Sequence, residues 1–117
     1  MKKNDLLDVL GVAIKAVPSK PVMPIFGTVL LRLKDNRLTL NTTNLELSIE
    51  VETAVEGDKL DIAVPAKTLF EIMTNLTDDE VQLNQLGDTL KIACGKYKGS
   101  INGLRLGPFY YYINLPA

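Results

Sequence analysis

The chain contains no histidine, which removes the usual general base near neutral pH and the commonest metal ligand. Its single cysteine, Cys94, shares an alternating stretch with Leu90 and Ile92 and reads as a buried structural thiol, not a nucleophile. Ser19 and Ser48 have no base to activate a hydroxyl. Asp78, Asp79 and Glu80 are consecutive acids without the spacing of a calcium loop, and read as a solvated turn. No HExxH, cysteine cluster or P-loop is present. An enzyme is therefore not expected, and neither is a cofactor or a metal.

What remains is charge. The formal net charge is −1, which argues against a surface that coats nucleic acid on every side. The distribution says more. Residues 1–20 set Lys2, Lys3, Lys15 and Lys20 against Asp5 and Asp8. Residues 35–61 set Asp35, Glu46, Glu50, Glu52, Glu56, Asp58 and Asp61 against Arg37 and Lys59. After Asp88 come Lys91, Lys96, Lys98 and Arg105 with no acid. Such segregation either places a basic face opposite an acidic one or is chance.

The elements that would carry these charges follow from periodicity. Asn4 or Asp5 can cap a first helix, and Leu6, Leu10, Ala13, Ile14 and Val17 recur at helical spacing, with Lys15 on the polar side. Pro18, Pro21 and Pro24 end it. Val29, Leu31 and Leu33 alternate with Leu30, Arg32 and Lys34, and Asp35-Asn36 predicts a hairpin turn into Leu38 and Leu40. Leu45, Leu47, Ile49 and Val51 alternate with Glu46, Ser48, Glu50 and Glu52, predicting a half-buried strand with an acidic outer face. A strand through Leu60, Ile62 and Val64 follows. Pro65 then opens a second helix with Leu69, Phe70, Ile72, Met73 and Leu76 on its apolar face and Lys67 on its polar face. Strands at 80–85, 89–94 and 97–103 close the pattern, with turns at Gly87-Asp88 and Gly95. The expected fold is α+β, two amphipathic helices packed on one side of antiparallel sheets.

A chain of 117 residues fits one domain, 1–117, and 46% hydrophobic residues suffice for a core without disulfides. One cysteine permits no internal disulfide, which is compatible with a cytoplasmic location. Acids at Asp5 and Asp8 interrupt any signal-peptide pattern, and no run of 18 apolar residues predicts a membrane span.

Three stretches carry a family resemblance. Lys20-Pro21-Val22-Met23-Pro24-Ile25-Phe26-Gly27 resembles a basic-Pro-x-x-Pro-Ile-Leu segment. Thr42-Thr43-Asn44-Leu45-Glu46-Leu47-Ser48-Ile49 is similar to a T-D-L-E-x-x-I strand entry. Val64-Pro65-Ala66-Lys67-Thr68-Leu69-Phe70-Glu71-Ile72 is similar to a V-P-A-R-x-F-x-D-I helix start. In this order they resemble the first domain of the bacterial DNA polymerase III beta sliding clamp, over about residues 4–106.

The resemblance implies a DNA-clamp domain that acts as a processivity factor in DNA replication. In that family six such domains close into a ring, duplex DNA passes through without being read, and a clamp loader and DNA polymerase III are the partners. It places Lys20 and Lys67 where basic residues face DNA. Lys15, Lys2 and Lys3 are weaker candidates from the helical face and chain start, and the plain alternative for every one is a solvated charge. An acidic outer sheet is expected to keep DNA inside the hole. One domain stands where the family has three, so the rival expectation is a monomeric interaction module that binds replication proteins without encircling DNA.

The stretch 107–117, with Phe109-Tyr110-Tyr111-Tyr112-Ile113-Asn114-Leu115, resembles the strand that opens the family's next domain. Tyr110, Tyr111, Tyr112 and Ile113 are therefore candidates for an oligomer interface. They would fill a strand position in a neighbour, as in a hexameric ring of single domains. Folding back on the same chain is the alternative.

Overall fold

The computed structural model of the chain describes residues 1–18, 20, 24–44 and 47–103, Pro24 and Ile25 by their backbone alone. The first helix, α1, spans Lys3–Ala13 and tightens into a 3₁₀ turn at Ile14–Ala16. A second 3₁₀ turn at Pro24–Gly27 leads into β1 (Thr28–Lys34), β2 (Arg37–Thr43), β3 (Ser48–Ala54) and β4 (Leu60–Pro65). Helix α2 (Ala66–Asn75) follows, then β5 (Gln82–Leu86), β6 (Thr89–Cys94) and β7 (Tyr97–Asn102). The strands form two antiparallel sheets, sheet I in the order β3-β2-β1-β4 and sheet II in the order β5-β6-β7.

Both helices bury one stripe against the sheets. Leu6, Leu10 and Ala13 on α1, and Ala66, Leu69 and Met73 on α2, are fully buried. They meet Val29, Leu31, Leu33, Leu38 and Leu40 of sheet I and Leu83, Leu90, Ile92 and Ile101 of sheet II in one core. Each large side chain so buried contributes about 1.5–3 kcal/mol. Thr42, buried in β2, turns its hydroxyl to the Ala13 carbonyl and so satisfies the end of α1. Cys94 is buried in the same core.

Among the boundaries that differ from the sequence expectation, three have a local reason. Helix α1 starts at Lys3, and neither Asn4 nor Asp5 caps it. The Lys3 N–H instead bonds the Asp79 carbonyl, and Lys2 forms a bridge with Glu80, so the helix begins where a short antiparallel pairing ends. Strand β3 starts at Ser48. Asn44 closes the preceding turn by accepting the Leu47 N–H on its side chain while donating its own N–H to the Leu47 carbonyl. That leaves Leu47 exposed, whereas Leu45 and Glu46 lie outside the described residues. Strand β5 runs to Leu86, with Glu80 in the bridge and not in the strand. The Asp35-Asn36 turn has φ of 53° and 62°, the geometry that matches the twist of a two-residue hairpin.

Beyond the shared core, the Gln85 side chain ties the two sheets. The Gln85 carboxamide accepts the Asp61 N–H at 2.7 Å and donates to the Asp61 carbonyl at 3.1 Å, as a neighbouring peptide unit would. Its nitrogen also reaches the Gly87 carbonyl at 3.0 Å. Gln85→Leu keeps the side-chain volume and removes all three bonds. It should lower unfolding stability by about 1–3 kcal/mol, read as a lower urea midpoint at unchanged m. A midpoint equal to that of the parent chain would show that the tie contributes nothing.

Candidate nucleic-acid interface

The helices run antiparallel. The Lys3 ammonium at the start of α1 donates to the Leu76 carbonyl at the end of α2, 2.7 Å away. Farther along, Gly11 faces Phe70, where a Cβ would stand 3.9 Å from the ring. Lys15 lies about one turn beyond Gly11, and Lys67 about one turn before Phe70. Both are exposed and fall at the same end of the helix layer. Lys20, also exposed, belongs to the connection between the α1 end and β1. That strand begins at Thr28, opposite Pro65, the residue before α2. Lys15 and Lys67 thus share one end of the layer, and Lys20 lies in the connection that leaves it. Among the described residues none of them forms an ion pair.

This end also carries the first turn of α2. That turn holds no acidic residue, and Pro65 supplies no side-chain cap. Its main-chain N–H groups and the positive end of the helix dipole add to Lys67. A basic residue here opposes the dipole and costs helix stability slightly, but it suits a phosphate.

The other end is different. Lys2 is exposed and stands with Asp5, Glu56 and Glu80 around an open hollow of about 550 Å³. Lys3 is half-buried, with its ammonium committed to the last turn of α2. The Asp78-Asp79-Glu80 run makes a turn whose carbonyls accept from Lys3 N–H and from the Cys94 thiol, the latter at 3.6 Å. The Asp78 carboxylate lies over Gly95, which has φ of +58° and no room for a Cβ. The charge is therefore graded along the helix pair, basic at the Lys15–Lys67 end and mixed at the Lys2–Lys3 end.

The expectation of an acidic outer sheet is overturned. Glu50 and Glu52 do face outward on sheet I, but Arg37 pairs with Glu52 at 2.7 Å and Asn41 donates to Glu50 at 3.1 Å. Arg32 stands 3.6 Å from Asp61, and Lys34 is exposed nearby. Sheet II presents Lys91 and Lys98 outward with no acid among its strands. The alternation along β3 located the outward Glu50 and Glu52 but not the bases that its neighbours β1 and β2 bring beside them.

The profile of the DNA polymerase III beta subunit N-terminal domain matches residues 1–112. The chain belongs to that family. A beta sliding clamp of Vibrio harveyi is 29% identical over 112 residues, covering 93% of this chain and 77% of that one. A beta sliding clamp of Rickettsia felis is 34% identical over 93 residues, covering 76% of this chain and 24% of that one. The solved Caulobacter crescentus pol III beta superposes with a TM-score of 0.84 at 30% identity, over 92% of this chain and 30% of that one. A DNA polymerase III beta subunit of Thermotoga maritima gives 0.84 at 26% identity, over 93% and 30%. The chain thus spans under a third of these two solved clamps and about a quarter of the Rickettsia relative. The sliding-clamp domain fold expected from the three motifs is the fold observed.

Of the other candidates, Tyr110, Tyr111, Tyr112 and Ile113 lie outside the described residues, as does the whole of 107–117. Among the described residues no cluster of three or more acidic, thiol or imidazole groups could hold a metal, and no helix is long and apolar enough to cross a membrane. Sequence reasoning missed Gln85 and the pairing of residues 1–3 with 79–81, because both join segments far apart in the chain.

The two ends of the helix layer should separate by mutation. Lys3→Met keeps the apolar stem and removes the bond to Leu76. It should reduce stability by about 1 kcal/mol in denaturant titration. Lys15→Met, at the exposed end, should shift it by less than about 0.5 kcal/mol. Equal losses at the two positions would contradict the division.

Proposed function

We propose that this chain is a non-enzymatic segment of a sliding ring that holds a polymerase on duplex DNA, assembling as six copies around the helix. The reading is supported by Lys15 and Lys67 at one end of the helix layer of a beta-clamp domain, with Lys20 in the adjoining connection, none of them in an ion pair among the described residues. Exposed ammonium groups beside an uncapped helix start meet phosphate oxygens and carry no base information, so binding is independent of sequence. The clamp loader and DNA polymerase III are the partners that the family membership supports. Lys2 contributes less because Asp5, Glu56 and Glu80 surround it.

Because the outer faces are mixed or basic, the hole cannot hold DNA by repulsion from an acidic exterior. Closure of the ring must do so. Retention should then be topological: protein stays on a nicked circle and is released when the circle is cut.

Two measurements test this. Light scattering should find a species near six times 12.9 kDa, about 77 kDa. A strict 12.9 kDa monomer at all concentrations, with no retention on circles, would remove the ring and favour the rival, a monomeric module that binds replication proteins. The triple variant Lys15→Gln, Lys20→Gln, Lys67→Gln should weaken retention. It should also flatten the dependence of log affinity on log salt, by about 0.9 for each phosphate no longer neutralised. An unchanged slope would mean that these lysines do not face DNA.

A further inference from the structure

The middle of the helix layer carries charge of its own, and it is negative. On α1 the buried stripe is Leu6, Leu10 and Ala13. Asp8 stands two residues from both Leu6 and Leu10, about half a turn around the helix, and is exposed. On α2 the buried stripe is Ala66, Leu69 and Met73. Glu71 stands two residues from both Leu69 and Met73 and is likewise exposed. Each helix thus turns one carboxylate away from the core, onto the solvent face of the layer that Lys15 and Lys67 also occupy.

Helical spacing sets the distances along that face. Lys15 follows Asp8 by two turns, about 10 Å, and Lys67 precedes Glu71 by one turn, about 6 Å. Gly11 opposite Phe70 fixes the register between the helices and brings Asp8 and Glu71 within about one turn of each other at mid-layer. Among the described residues neither carboxylate forms an ion pair. Thr74 and Asn75 each donate to the Glu71 main-chain carbonyl at 2.9 Å, not to its carboxylate.

We infer that Asp8 and Glu71 hold phosphates off the middle of the helix layer, so that duplex DNA touches each domain at its Lys15–Lys67 end and stays free to slide. This inference rests on the reading of the helix layer as the surface that faces DNA. A solvated acid repels a phosphate over a Debye length, about 8 Å at physiological salt. Duplex DNA carries one charge per about 1.7 Å of its axis, so a duplex lying along the whole layer cannot avoid the two acids. Contact at the lysine end alone avoids Asp8. Glu71, one turn from Lys67, limits how strongly that lysine holds a phosphate.

A layer basic along its whole length would grip the backbone at many points and resist movement. Shallow contact at one end suffices where closure of the ring supplies retention. The acids act here by repulsion and not as a cation site: among the described residues no group of three or more such ligands could hold a metal.

Binding of the full chain to a labelled linear duplex, followed by anisotropy, tests the inference. The variant Asp8→Asn with Glu71→Gln is compared with Asp35→Asn with Asp58→Asn. Both pairs change the net charge equally, and all four residues are exposed. Asp35 and Asp58 lie in the β1–β2 turn and the β3–β4 connection, off the solvent face of the helices. The helix pair of substitutions should tighten binding at least about 5-fold at about 50 mM salt, and less than about 2-fold at about 500 mM, where screening is stronger. The loop pair should change it by less than about 2-fold at either salt. Equal effects of the two pairs overturn the inference, because net charge alone then accounts for them. Weaker binding by the helix pair in Mg²⁺ also overturns it, because the acids would then bridge to phosphate through the cation. If the helix pair tightens linear binding but intact circles are not retained, the inference stands and the ring reading fails. If circles are retained and linear binding is unchanged, the ring reading stands and the inference fails.

Discussion

The antiparallel setting of α1 against α2 decides where every helix-borne charge falls, and a small set of bonds at one end of the pair fixes it. Residues 1–3 pair with 79–81, and Lys3 reaches the last carbonyl of α2. The start of one helix is thereby bound to the exit of the other. Burial of Leu6, Leu10, Leu69 and Met73 holds the helices to the sheets, but burial alone has no direction. The hydrogen bonds supply the direction, and with it the gathering of Lys15 and Lys67 at the far end.

Electrostatics then divides the labour between the faces of the domain. Sheet I neutralises itself by pairing Arg37 with Glu52 and setting Arg32 near Asp61. These partly exposed pairs contribute little stability, at most about 1 kcal/mol each, but they leave sheet I with little field of its own. Exposed positive charge without a salt-bridge partner, among the described residues, lies at the lysine end of the helix layer and on sheet II. The net charge of −1 conceals this placement, because a sum carries no information on distribution.

The sequence was a good guide to what depends on neighbours in the chain. Helical spacing located both helices, alternation located the seven strands, and Asp35-Asn36 and the two glycines located turns. The three motifs located the family. It was a poor guide to what depends on distant segments. Asn4 and Asp5 look like caps until the Asp79 carbonyl takes the Lys3 N–H. Leu47 looks like part of an apolar face until Asn44 turns the chain beneath it. The acids of β3 look like a repulsive surface until β2 brings Arg37 alongside, fifteen residues away in sequence. Nothing in the alternation of β5 distinguishes Gln85 from a solvent-facing amide.

The Gln85 tie and the Met1–Lys3 clasp also differ in how much chain each encloses. The first joins residues 24 apart, and the second joins residues 73 to 80 apart. Closing the longer loop costs about 1 kcal/mol more chain entropy. The Gln85 tie therefore restricts the chain at a smaller entropic cost than the clasp, which constrains nearly the whole described sequence between α1 and β5.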